Sequence, residues 1–362
     1  MRRAATAGTL ALALGLGAAV VAARVPAERA RHLAVPVLVD PSLPAAIAPA
    51  AGLAALECRV EELGGVGRRV TALLPAADGS VWVGTFDEGV ARLGGEVPAA
   101  ARALAGRRRM VNALAAEGGS TWAATQGGLV ALDGPASGQV LLGDQSASAL
   151  ARSGGALLAG TGHGLFRVKD GSAWPVPAAG PDGEALRVTA LAGSATGRLW
   201  IGTSSGVYSL DLGQLPPGRA TAAWYPLVFG DPPSSTDVVT ALADLGGAAV
   251  AGTDDGGLAR VGARGEVSAV RFADALANQV NPGAAAASGS ALAFGTQGGG
   301  LLVALERGGH LDVRRASGLE ELAVSAVART GDAWLVGTAE GKVLRVRCPE
   351  GGERHAVAAA GG

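Results

Sequence analysis

Short apolar runs alternate with glycine-rich turns along most of this chain, and one run sets the pattern. Val81-Trp82-Val83 is apolar at successive positions, Gly84-Thr85 follow, and Gly89 lies beyond a short turn. Before it, Val70-Thr71-Ala72-Leu73 reads as a strand and Ala77-Asp78-Gly79-Ser80 as a turn. After it, Val90-Ala91-Arg92-Leu93 reads as a third strand. The arrangement returns around Thr125, Thr161, Thr203, Thr253, Thr296 and Thr338, at intervals of 36 to 50 residues. Glycine precedes the threonine in every copy but the second, which has Ala124. Glycine comes again three or four residues later, and alanine stands twelve or thirteen residues earlier. Strand units recurring about every 40–45 residues are the mark of propeller blades.

The slots have physical causes. Glycine after the threonine permits positive φ in a tight hairpin. The second strand is apolar on both faces, as in Leu199-Trp200-Ile201-Gly202, whereas a hairpin sheet with one wet face alternates. It is therefore predicted to lie between two neighbouring sheets. The pattern predicts an all-β, seven-bladed β-propeller over 55–362, with about four antiparallel strands per blade. The alanine-bearing first strand is placed nearest the axis, where blades converge, and tryptophan fills the wider gap further out. Fourth strands are predicted at 139–142, 222–225, 267–270 and 310–313. Asn281-Pro282-Gly283 departs from the pattern in the sixth copy. Proline is tolerated at the first residue of a strand, so a weaker inner strand is predicted there.

Ahead of the repeats, Arg2-Arg3 precede an uncharged apolar run from Ala4 to Ala23. Residues 1–27 read as an export signal, cleaved after Ala23 or Ala27, or as an uncleaved membrane anchor, because about 20 apolar residues also suffice to span a bilayer. Residues 28–54 read as an Ala/Pro-rich linker. The protein is accordingly expected to be exported, periplasmic or extracellular. Its formal net charge of -1 gives no general pull toward nucleic acid.

Closure of the ring is expected to use Leu56–Val60 as the outer strand of the last blade, beside 342–348. Each of these strands carries one of the two cysteines, Cys58 and Cys348, and an oxidising compartment would keep a disulfide between them. Two separate thiols, with 354–357 as the closing strand, is the alternative.

Candidate chemistry is sparse. Gly202-Thr203-Ser204-Ser205-Gly206 matches the G-x-S-x-G elbow, but that elbow needs a strand-to-helix turn, and here the motif falls in a hairpin slot. The histidines His32, His163, His310 and His355 show no metal-ligand spacing, and neither a metal nor a cofactor is expected. Asp87-Glu88, Asp254-Asp255 and Glu340 occupy the hairpin slot of copies one, five and seven. Arg69, Arg108 and Arg187 lie just before inner strands. Both sets are predicted on one face, with the arginines nearer the channel mouth; His163, in a hairpin turn, is a further ligand-binding candidate and reads more plainly as a solvated turn residue. An anion or acidic partner would suit them; surface ion pairing between loops is the plainer reading.

Val70-Thr71-Ala72-Leu73, with Asp78-Gly79-Ser80-Val81-Trp82-Val83-Gly84-Thr85, resembles the two-component regulator propeller repeat, V-x-A-L then D-G-x-x-W-x-G-T. Residues 188–207 and 324–343 resemble it as well, and the W-D dipeptide of WD repeats is absent. In that family such propellers often form the periplasmic sensing part of membrane histidine kinases, and the resemblance carries no catalytic residues. The expected function is an exported, non-catalytic binding or scaffold propeller of the cell envelope, probing an unknown protein, small-molecule or glycan partner as a monomer. The alternatives are a lyase or hydrolase working in the channel, or a sensor subunit signalling through a separate kinase.

Overall fold

The second strand of each unit is buried, apart from Arg198 at the start of the fourth, because it is covered on both faces. A computed structural model describes residues 46–180, 183–212, 222–225, 227 and 238–349. The chain divides into units 1–33 and 34–362, and every described residue belongs to the second. The segment 1–27, the linker up to residue 45 and the alternative closing strand at 354–357 lie outside the described residues.

Blade one consists of β4 (Val70–Pro75), β5 (Val81–Thr85) and β6 (Val90–Leu93), as the sequence predicts. Six further sheets repeat this order, and each inner strand packs against the next until 324–330 meets β4. The protein is a seven-bladed β-propeller. Trp82, Trp122, Trp200 and Trp334 are buried between blades. The Asp78-Gly79-Ser80 turn has its own logic. Asp78 accepts the Ser80 amide at 3.0 Å, the Ser80 hydroxyl at 2.6 Å and Arg92 at 2.6 Å, while Arg92 lies 4.9 Å over the Trp82 ring.

Two devices join the blades. The first is a socket. A Cβ placed on Gly84, Gly160, Gly202, Gly252, Gly295 or Gly337 would come within 2.6 Å of a valine Cγ1 on the following blade. Glycine is kept at this slot by its neighbour's bulk. Blade two confirms the rule by breaking it on both sides: Ala124 replaces the glycine, and the facing residue is Ala147 instead of valine, both fully buried in one cluster.

The second device is a polar ring. In six inner strands the pairing slips around the recurrent alanine, leaving one extra residue as a β-bulge in five of them and three in blade six. The residue after the valine or alanine that starts each inner strand is always short and polar: Thr71, Asn112, Ser148, Thr189, Thr240, Asn281 and Ser325. Thr71 donates to the Val111 carbonyl at 2.6 Å, Asn112 to Ala147 at 2.7 Å and Ser148 to Val188 at 2.6 Å. Thr189 donates to Val239 at 2.6 Å, Asn281 to Val324 at 2.7 Å, and Ser325 closes the circle on Val70 at 2.5 Å. Thr240 instead turns to its own blade, donating to Gly252 at 3.2 Å. Leaving a buried carbonyl unpaired costs about 1–3 kcal/mol. Ser325→Ala is therefore expected to lower stability by that amount in chemical denaturation, and an unchanged midpoint would remove the ring from the list of stabilising features.

The N-terminal segment departs from the prediction. Part of the expected linker is strand: β1 (Ala46–Ala51) pairs in parallel with 267–272 on the edge of blade five. Next, β2 (Ala54–Leu56) pairs in parallel with 310–316 on blade six. The closing strand of blade seven is β3 (Arg59–Gly65), antiparallel to 342–347, so it starts three residues later than expected and Leu56 belongs to blade six. The alanine-rich composition hid this, because an edge strand draws its order from the ladder it joins. Blade one has three strands and no fourth among the described residues, whereas blades five and six have five. Arg59 lies opposite Arg347, and the adjoining Cys58 and Cys348 form the expected disulfide, with Cα atoms 4.3 Å apart.

Candidate functional site

In five blades the hairpin between second and third strands folds back onto the start of its inner strand. The Phe86 amide donates to the Arg69 carbonyl at 3.1 Å, Gln126 to Met110 at 3.1 Å and Asp254 to Val238 at 3.1 Å. These hairpins are set by the recurrent threonines, which are buried and donate back across the turn, as Thr85 does to Gly89 at 2.9 Å and Thr125 to Gly128 at 2.8 Å. Hairpin residues and the residues preceding inner strands therefore share one face, around the channel mouth.

The mouth is a cavity of about 510 Å³. Arg69, Phe86, Gln126, Ser146, Val188 and Val238 line its upper wall, and residues of the polar ring line it below. Deeper in the channel, the fourth position of the V-x-A-L pattern supplies Leu73, Leu114, Leu150, Leu191, Leu242 and Val327. Blade six breaks both layers. Ala285 takes the leucine position, opposite Phe294, and Pro282-Gly283 are inserted between Asn281 and the recurrent Ala284. Gly283 has φ +70°, and a Cβ added to it would lie 3.8 Å from the Asn112 carbonyl oxygen on blade two. The insertion thus reaches across the lumen, far from the weak strand predicted for this copy. Arg69 of blade one donates to the Asn281 Oδ1 at 2.9 Å, passing over blade seven. Asn281 is 1% exposed and also donates to Thr296 at 2.9 Å.

The sequence-predicted residues divide. Arg69 lines the mouth. Arg108 lies over its own hairpin, donating to the Gly127 carbonyl at 3.4 Å. Arg187 and His163 meet in a separate groove of about 560 Å³ between blades three and four, with Glu184, Ser204 and Ser205. There the Ser205 amide donates to Thr203 at 3.1 Å and strand 206–211 follows at once, so the G-x-S-x-G match lacks the helix an elbow needs. Glu88 pairs with Arg68 at 2.9 Å, and that hydrogen bond, with the charges of Glu88 and Asp87, raises the Arg68 pKa. Asp254 and Asp255 are half-buried on blade five, and Glu340 is exposed on blade seven. Among the described residues no group of three or more His, Cys, Asp or Glu could hold a metal ion. The polar ring was missed in the sequence although its signal was present, a short polar residue at the same slot in every copy.

No protein-family model matches the chain, and no curated protein sequence matches it. Solved structures share its fold. The extracellular domain of the hybrid two-component system BT4673 from B. thetaiotaomicron is 15% identical, with a TM-score of 0.56, and the match covers 80% of this chain and 39% of that one. The chain thus spans well under half the length of that neighbour. Virginiamycin B lyase from Staphylococcus aureus is 12% identical, with a TM-score of 0.61 and coverage of 80% and 98%. U3-55K is 13% identical, with a TM-score of 0.60 and coverage of 80% and 98%. The extracellular domain of a two-component system, a lyase and a third protein share one architecture, so these likenesses define the fold, and function has to be argued from the site.

Proposed function

We propose that this protein is an exported, non-catalytic binding propeller whose ligand enters the mouth of the central channel. The observation that carries the reading is the mouth itself. It is a cavity of about 510 Å³, floored by an insertion from blade six, with Arg69 and apolar Phe86 and Val238 above and the polar ring below. This is the usual make-up of a small-molecule site. The Cys58–Cys348 disulfide supports export, since such bonds persist in oxidising compartments. Among the described residues no helix is long and apolar enough to cross a membrane.

The test uses the purified protein, incubated with a cell-envelope extract and washed, with retained molecules identified by mass spectrometry. Val238→Trp fills the mouth from a half-buried position at the head of an inner strand. At least one small molecule is expected on the wild type, with tenfold or greater loss in Val238→Trp. Retention of nothing, or equal retention by the two proteins, would overturn the reading.

A further inference from the structure

We infer that the channel mouth is built for a small monocarboxylate with an apolar body, its carboxylate on Arg69. This rests on the mouth being a binding site and names the chemistry of what it takes. Arg69 is the one charged residue among those lining the cavity. Its partner there is the neutral Asn281 oxygen, which accepts one N–H and cancels no charge. Of the two acids in the adjoining hairpin, Glu88 pairs with Arg68 on the outer side of the loop and Asp87 adds its charge to the same Arg68, and neither lines the cavity. A guanidinium whose charge has no counterpart, beside a cavity with no carboxylate in its lining, favours an anion. Its planar fork of donors fits a carboxylate two bonds at a time.

The rest of the lining narrows the class. A dianionic phosphate gains most from two or more cations, and the cavity lining offers one. Phe86 stands at the rim beside Arg69, 51% exposed although aromatic. Half-buried Val238, at the head of the inner strand of blade five, adds apolar surface to that of Phe86, while the neighbouring Val188 and Val239 side chains are buried in the sockets between blades. The ring hydroxyls of Thr71, Ser148 and Thr189 give their protons to backbone carbonyls, so toward the lumen they act as acceptors and do not compete for the carboxylate. Pro282-Gly283 form the floor and limit the ligand's depth.

The experiment measures phenylacetate and its neutral counterpart phenylacetamide by ligand-observed NMR titration on the full-length protein. Wild type, Arg69→Gln, Arg69→Lys and Val238→Trp are compared at low and at physiological salt. Arg69 is exposed, so its replacement removes no core packing; because the buried Asn281 oxygen loses a donor, the denaturation midpoint of each variant is measured beside its affinity. The acid is expected to bind at least tenfold more tightly than the amide to the wild type. Arg69→Gln should bring that ratio to about one, Arg69→Lys should leave it intermediate, and Val238→Trp should weaken both ligands. Equal affinity for acid and amide, or a preference that survives Arg69→Gln, overturns the inference. If an envelope molecule is still held at the mouth in that case, the binding reading stands and only the carboxylate assignment falls. If neither the probes nor an envelope molecule binds there, both fall together.

Discussion

Ala147→Val is expected to destabilise the protein by about 1–3 kcal/mol, the usual cost of forcing a larger side chain into a filled core. The new methyls would meet Ala124, which stands where six other blades have glycine, and both residues are fully buried. Ala124→Gly alone also destabilises, by about 0.5–1 kcal/mol for the glycine's added backbone freedom, plus the small void it leaves. Together the two changes rebuild the glycine–valine pair found at every other junction. The double variant should therefore be more stable than either single one, with a coupling of about 1–3 kcal/mol. The mirror experiment is Gly202→Ala, whose Cβ would lie 2.5 Å from Val239 Cγ1; it should be damaging alone and partly rescued by Val239→Ala. Denaturation midpoints of the four blade-two proteins decide it, and additive effects would mean the two positions do not share a socket.

Breaking the Cys58–Cys348 bridge is expected to cost about 2–5 kcal/mol, as for other native disulfides. It joins residues 290 apart, and in the chain-entropy model so long a loop gives roughly 5–6 kcal/mol, from which strain subtracts. The bond sits just beyond the ladder between β3 and 342–347, so its loss should first be felt there. Cys58→Ser with Cys348→Ser should lower the denaturation midpoint and speed hydrogen exchange in β3 more than in blades two to four. Equal exchange in all blades would place the bridge's contribution in the unfolded chain alone.

Much of the architecture was readable because its rules are steric and local. The threonine that closes each hairpin, the glycine facing a neighbour's valine and the tryptophan between blades each allow few substitutes, so their spacing survives in the sequence. The polar ring allows threonine, serine or asparagine, since any short donor reaches the next carbonyl, and the slot therefore looked variable. The strands β1 and β2 were illegible for another reason. Ala46–Ala51 has low strand propensity, and its order comes from pairing with 267–272, information held elsewhere in the chain. At the site, position before an inner strand identified Arg69, Arg108 and Arg187 equally. What separates them is local: Arg108 is drawn over its own hairpin, and Arg187 borders the groove of blades three and four. The insertion that floors the cavity showed in the sequence as Asn281-Pro282-Gly283, but its reach across the lumen depends on a ring that only the fold supplies.

The belt of N-terminal strands sets the order of folding against the order of synthesis. Glu62 in β3 waits for Lys342, 280 residues further along, and the two meet at 3.2 Å. At about 5–20 residues per second, that wait is on the order of 15–60 s, during which the first strands made have no ladder. The inner blades can assemble on their neighbours as they emerge, but blades five to seven stay unfinished at their rims until the beginning of the chain comes back to them. A product cut short before residue 342 would keep most of its blades, lose the partner of β3 and carry Cys58 as a free thiol. Closure by the two ends thus acts as a check that the whole ring has been made, and a free Cys58 thiol is a chemical tag by which incomplete chains can be counted.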